Sequence, residues 1–81
     1  MQRLLDRICI TSHARQRAQE MGVAPFDLIA AMTDPEVRYE QSWRGPGMWL
    51  YQRGQIAVAI RETAEELVAL SVLPRVTEVY T

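Results

Sequence analysis

The spacing of apolar residues changes from a helical to a strand period near the middle of this 81-residue chain. Before Asp34-Pro35, apolar side chains recur every three or four residues, as they do on one face of a helix. From Val37 to Trp43, the residues alternate between two faces, as they do in a strand. Because the residue before a proline avoids the helical region, Asp34-Pro35 marks the boundary. The pattern predicts helices segregated from a sheet, which is typical of an α+β domain.

The first half of the chain is expected to begin with a short strand within residues 3–11. Ser12 is placed to cap a first helix over about 13–21, because its hydroxyl can accept a free backbone N–H. Gly22 suits the left-handed position that ends a helix, and Val23 suits the apolar contact that follows it.

A second helix is expected over about 25–33, with Pro25 in its first turn. Asp34-Pro35 would end it. Its spacing predicts a buried face formed by Phe26, Ile29 and Ala30, with Met32 or Thr33 at the margin.

The second half is expected to form a four-stranded antiparallel meander. Its strands are predicted at Val37–Trp43, Met48–Gln52, Gln55–Arg61 and Leu67–Leu73. Their connections are a turn at 44–47, a tight hairpin at Arg53-Gly54 and a turn at 63–66. Residues Val76–Tyr80 would add a tail or an edge strand.

The composition predicts a single folded domain over residues 1–81, since 48% of the residues are hydrophobic. The net charge is −1, so no bulk attraction to nucleic acid or membranes is expected, and any anion site has to be built locally. All nine basic residues are arginine, whose planar guanidinium suits phosphate and carboxylate groups.

The single cysteine, Cys9, excludes an internal disulfide, and its apolar neighbours predict a buried packing role. One cysteine and one histidine fall short of the usual zinc ligand set, so no metal or other cofactor is expected. The apolar stretches are only as long as strands, which predicts no membrane association and a cytoplasmic location.

The stretch Ser12–Glu20 holds the one histidine of the chain, and it concentrates polar groups on a predicted helix. His13, Arg17 and Glu20 are spaced i, i+4 and i+7, so they share one face. A neighbouring apolar stripe, which would pack on the core, consists of Ala14, Ala18 and Met21.

This pattern resembles a small family of bacterial and phage domains of unknown function that is grouped with RelE- and BrnT-like toxins. The toxins belong to the barnase/colicin/RelE ribonuclease superfamily. The resemblance covers roughly residues 10–75 and implies a RelE-like fold. The residues that carry it are Ser12, His13, Ala14, Arg17, Gly22 and Val23, followed by the strand ending Val72-Leu73-Pro74-Arg75.

The resemblance implies a toxin-type endoribonuclease that needs no metal ion. His13 would carry the proton, because an imidazole titrates nearest to neutral pH. Arg17 would clamp a phosphate oxygen, and Arg61 and Arg75 would complete the clamp. Tyr51 would stack on a base or donate a proton. RNA would be the substrate, and a cognate antitoxin would be a partner.

Each of these residues also has a structural interpretation. An imidazole directly after a helix cap, such as His13, also bonds backbone carbonyls. The spacing of Arg17 and Glu20 also fits an ordinary surface ion pair. Arg61, close to Glu62 and two further glutamates, also fits a solvated charge patch.

Two further functions therefore remain open at this point. The first is a catalytically silent phage or bacterial protein that binds and modulates a host protein through aromatic side chains of the hairpin. The second is a homodimer that buries an open sheet face or an edge strand.

Overall fold

The computed structural model describes residues 4–75, which form one β-sheet with two α-helices packed on one face. This arrangement confirms the α+β class. Within these residues no helix is long and apolar enough to cross a membrane. The predicted element at Val76–Tyr80 lies outside the described residues. The elements are a 3-10 turn (Leu4–Arg7), β1 (Ile8–Ile10), α1 (Ser12–Glu20), α2 (Pro25–Thr33), β2 (Val37–Glu40), a second 3-10 turn (Ser42–Arg44), β3 (Met48–Arg53), β4 (Ile56–Glu62) and β5 (Leu67–Pro74).

The sheet has five strands in the order β1-β5-β4-β3-β2. Strands β2 to β5 pair antiparallel in chain order, whereas β1 lies parallel to β5, with Ile8 opposite Leu67. The predicted sheet, a four-stranded antiparallel meander, is therefore corrected to a mixed five-stranded sheet. The partner of β1 lies at the far end of the described chain, and no local pattern encodes such a pairing.

A register shift between β4 and β5 changes which residues of β5 face the helices. Ala59 is opposite Ser71, but the next residue, Ile60, is opposite Ala69, so β5 carries one extra residue. As a result Ala69 and Val72 both belong to the core under the helices, although they are three residues apart.

The core lies between the two helices and the sheet face that they cover. The helices contribute mainly small side chains, which allows them to approach the strands closely. The buried members of this core are Ala14, Ala18, Leu28, Ala31 and Met32 from the helices, and Tyr51, Ile56, Val58, Ile60, Leu67, Ala69 and Val72 from the sheet.

Helix α2 has the predicted bounds, but the prediction of its buried face is wrong. It buries Leu28, Ala31 and Met32, whereas Phe26 is 78% exposed. Nearly every residue of α2 is apolar, so two stripes at helical spacing exist on it, and periodicity alone does not select between them.

The ends of α1 follow the expected chemistry with one correction. Thr11, and not Ser12, is the N-cap, and its hydroxyl oxygen accepts the N–H of Ala14 at 3.1 Å. At the other end the N–H of Val23 donates to the carbonyl of Ala18, and Gly22 adopts a left-handed φ of 72°. These contacts confirm the predicted glycine stop.

Two strand predictions also need correction. β2 ends at Glu40, because the chain turns into the 3-10 segment at Ser42–Arg44, so Gln41 to Trp43 do not continue the strand. The first strand is limited to Ile8–Ile10, and the four residues before it form a 3-10 turn.

Cys9 is exposed, so the prediction that it is a buried packing residue is wrong. Its neighbours Ile8 and Ile10 pack against the core under the helices. Because successive side chains of a strand point to opposite faces, Cys9 must point away from that core. β1 is also an edge strand, which leaves it open on its outer side.

Candidate functional site

Helix α1 presents His13, Arg17 and Glu20 on one face, as their spacing predicts. An Nη1 atom of Arg17 lies 3.0 Å from Oε1 of Glu20 and forms an ion pair with it. The amide of Gln16 donates to the other carboxylate oxygen of Glu20 at 3.2 Å. The side chain of His13 is exposed one helical turn before Arg17. The stripe is therefore accessible to solvent, with its arginine held in one position.

The charge of Glu20 is stabilised by these contacts. The hydrogen bond from Arg17 lowers the pKa of the Glu20 carboxyl, and the hydrogen bond from Gln16 and the positive charge of Arg17 lower it further. Glu20 therefore remains ionised at neutral pH, and this keeps the ion pair with Arg17 in place.

Arg17 also reaches towards a groove at the end of α1. Its Nη2 atom lies 3.9 Å from the sulfur of Met21, and Met21 lines a groove of about 430 Å³. The opposite wall is the turn between β3 and β4, including Arg53 and Gln55. The polar residues of α1 therefore extend from the exposed His13 to the end of the helix that borders this groove.

Arg75 lies at this same end of the sheet but is already engaged. Its Nη1 atom donates to Oε1 of Glu36 at 2.6 Å and to the carbonyl of Gly54 at 3.0 Å. The hydrogen bond from Arg75, and a second one from the N–H of Gly54, lower the pKa of the Glu36 carboxyl. Arg75 therefore ties the end of β5 to the start of β2.

Arg61 is exposed near the opposite end of β4. The backbone N–H of Arg75 bonds the carbonyl of Gln55, just before β4 begins. A strand rises about 3.3 Å per residue, so Gln55 and Arg61 are roughly 20 Å apart. The structure consequently does not bring Arg61 and Arg75 together around one phosphate group.

Tyr51 belongs to the core and is 4% exposed. Its ring meets that of Trp49 edge to face, with centroids 6.3 Å apart. Arg38, directly opposite Tyr51 on β2, lies over both rings. Arg38 was not among the site residues predicted from the sequence, although its place in the β2 alternation was a usable signal.

The exposed large hydrophobic side chains belong to elements other than α1. Among the described residues, the large hydrophobic side chains with high exposure are Phe26 at 78%, Trp43 at 79% and Tyr39 at 37%. Trp43 belongs to the 3-10 turn between β2 and β3, and Phe26 to the first turn of α2.

No group of three or more histidine, cysteine, aspartate or glutamate side chains in residues 4–75 is arranged to hold a metal ion. Comparisons with models of known families, with curated proteins and with solved structures found no match.

Proposed function

We propose that the protein is a RelE- or BrnT-like toxin-type endoribonuclease, acting in the cytoplasm, whose reactive groups are His13 and Arg17. The observation that carries this proposal is the exposed imidazole one helical turn from a guanidinium that Glu20 holds in place. A proton carrier and a phosphate ligand on one rigid helix face are the two groups that metal-free RNA cleavage needs most.

In this reaction His13 accepts the proton of a ribose 2′-hydroxyl, and the 2′-oxygen attacks the adjacent phosphorus. The bond to the 5′-oxygen breaks, and that oxygen takes a proton from the imidazolium or from water. The products are a 2′,3′-cyclic phosphate and a free 5′-hydroxyl. Arg17 stabilises the negative charge that gathers on the phosphorane oxygens.

Glu20 acts as a positioning residue for Arg17. A guanidinium carries five N–H donors, so the contacts of Arg17 to Glu20 and Met21 leave donors for a phosphate oxygen. Fixing the side chain in advance reduces the entropy that would be lost when substrate binds. Because the net charge is −1, affinity for RNA has to come from such local cations.

The first prediction concerns cleavage of RNA in the presence of EDTA. We expect the wild-type protein to cut RNA and leave 2′,3′-cyclic phosphate ends, and His13→Ala or Arg17→Ala to lower the rate by about 100-fold or more. Arg15→Ala is the matched control, because Arg15 is exposed on a different side of the same helix. Product ends and rates are measured by gel electrophoresis and mass spectrometry.

Two results would overturn this assignment. One is the absence of cleavage by the wild-type protein, and the other is an equal rate for wild type and His13→Ala. Thermal unfolding of each variant checks that a lost rate does not reflect a lost fold.

A second candidate function, binding and modulating a host protein without catalysis, is supported by the exposure of Trp43. Tryptophan is among the residues that most often dominate protein interfaces, and a 79% exposed indole is costly to leave in water. Under this proposal, growth arrest on expression would persist in His13→Ala and disappear in Trp43→Ala. The roles of an antitoxin and of a homodimer remain predictions, the latter checked by the solution mass of the protein.

A further inference from the structure

A second groove lies beside the C-terminal end of α2. It includes none of the polar residues of α1. Its volume is about 370 Å³, within the range of small-molecule sites, which is roughly 300–1,000 Å³. Two arginines, Arg7 and Arg38, line it together with the ring of Tyr51 and the apolar side chain of Leu67. The groove thus combines two cations, one of which lies over aromatic rings.

Arg38 is held by aromatic rings and not by a carboxylate. Its Cζ atom lies 5.5 Å from the centroid of the Trp49 ring and 5.8 Å from that of Tyr51. Within residues 4–75 it forms no ion pair. A guanidinium that rests on π-faces retains the N–H donors at its edge, and these can grip a phosphate in bidentate fashion.

Arg7 supplies a second cation that is anchored to the turn between β4 and β5. Its Nε atom donates to the carbonyl of Glu65 at 3.4 Å, and its Nη2 atom donates to the carbonyl of Thr63 at 3.3 Å. The hydroxyl of Thr63 in turn accepts the N–H of Glu66 at 3.0 Å, which fixes the turn. Arg7 therefore comes to the groove from a rigid support.

The groove also carries two carboxylates, and they decide the charge of its ligand. Asp34 is compensated by Arg53, whose Nη1 atom lies 3.3 Å from the carboxylate. The charges that remain in the groove are those of two arginines, Arg7 and Arg38, and one glutamate, Glu62, which gives an excess of one positive charge. An anionic group is favoured there, while Glu62 remains as an acceptor for N–H donors of a ligand.

We propose that this groove binds a nucleotide. Arg7 and Arg38 take the phosphate, and the base stacks on the outer face of the Arg38 guanidinium, whose inner face lies over the rings of Trp49 and Tyr51. The nucleotide is either free or the terminal residue of an RNA strand, since both present the same phosphate and base. The inference does not depend on cleavage, because the groove contains neither His13 nor Arg17.

Trp49 provides a signal for binding, because the guanidinium of Arg38, which lines the groove, lies over its ring. The chain has two tryptophans, so Trp43→Phe leaves Trp49 as the single reporter. We expect adenosine monophosphate to quench this fluorescence with saturation, and inorganic phosphate or adenosine alone to act at concentrations about tenfold higher or more. A 5′-phosphorylated oligonucleotide added in a parallel titration distinguishes a strand end from a free nucleotide.

The variants Arg38→Gln and Arg7→Gln, in the same background, are expected to weaken binding about tenfold or more. Arg44→Gln is the matched control, because Arg44, like Arg38, is exposed but bonds Gln41 in a turn outside the groove. Thermal unfolding confirms that each variant is folded. The proposal is overturned if no probe gives a saturable change at millimolar concentration, or if Arg38→Gln and Arg44→Gln bind alike. His13→Ala should bind as the background protein does, which separates this test from that of cleavage.

Discussion

At the scale of single residues, Thr11 joins a helix to the sheet. Its hydroxyl oxygen accepts the N–H of Ala14, and the same hydroxyl donates to the carbonyl of Ala69 on β5 at 2.9 Å. Its backbone N–H bonds that carbonyl as well, at 3.1 Å. One side chain therefore caps α1 and fixes the start of the helix against a strand from the other end of the chain.

We expect Thr11→Ala to lower the free energy of unfolding by about 1–2 kcal/mol, because both the cap and a bond to the sheet are lost. Ser12→Ala should change it by less than about 0.5 kcal/mol, since Ser12 is an exposed residue of the first turn. Urea unfolding measures both. A larger loss in Ser12→Ala than in Thr11→Ala would contradict the assignment of the cap.

The polar stripe of α1 could be predicted from sequence, because helix geometry alone places His13, Arg17 and Glu20 on one face. The position of Arg38 over Trp49 could not. It depends on the register of β2 with β3, in which Glu40 is opposite Trp49. That register is set by the turn between β2 and β3. The sequence pattern wrongly predicted that the strand continues through the residues of this turn.

At the scale of elements, α2 shows the limit of hydrophobic periodicity. The stripe of Phe26, Ile29 and Ala30 satisfies helical spacing as well as the stripe that the core actually uses. The choice between them is made by the connection from α1 and by the shape of the sheet below. The ends of the helix, by contrast, depend on Pro25 and Asp34-Pro35, which are local signals and were predicted correctly.

The two faces of α2 can be separated by a pair of matched substitutions. Leu28→Ala is expected to cost about 2–5 kcal/mol, because it leaves a cavity in the core. Phe26→Ala should cost less than about 1 kcal/mol, although more carbon is removed, since that ring is already in water. Urea unfolding again provides the measurement. Equal losses would mean that the outer stripe is covered in solution.

At the scale of the whole molecule, two ion pairs join strands that are distant in the chain. Arg75 after β5 bonds Glu36 before β2, and Arg53 at the end of β3 bonds Asp34 after α2. Both pairs lie beside the turn between β3 and β4. Arg75, which the sequence suggested for a phosphate clamp, is therefore paired with a carboxylate. Arg61 lies at the other end of β4.

The pair of Arg75 and Glu36 predicts a pH dependence of stability. The pKa of Glu36 is lowered in the folded state, so its contribution is present above the ordinary value of 4.5 and is lost as pH falls through the lowered value. Glu36→Gln should therefore lower the thermal midpoint at about pH 7, and the difference should shrink as pH falls below 4.5 and disappear once pH is below the lowered pKa. High salt should reduce the difference.

Glu40→Gln is the control for this series, because Glu40 forms no ion pair in residues 4–75. A Glu36→Gln effect that persists undiminished in acid would show that the carboxylate charge is not its source.

The separation of Arg61 and Arg75 could not be predicted from their spacing along the chain. Their positions follow from the pairing of β4 with β5, which only the folded sheet defines.

The parallel pairing of β1 with β5 has a consequence for how the protein is made. Residues 8–10 leave the ribosome well before their strand partner at residues 67–69 does. The earlier segment must therefore wait for this partner while the residues between them are made. Closing so long a loop is slow, and the sheet acquires its fifth strand only when the late segment has been released.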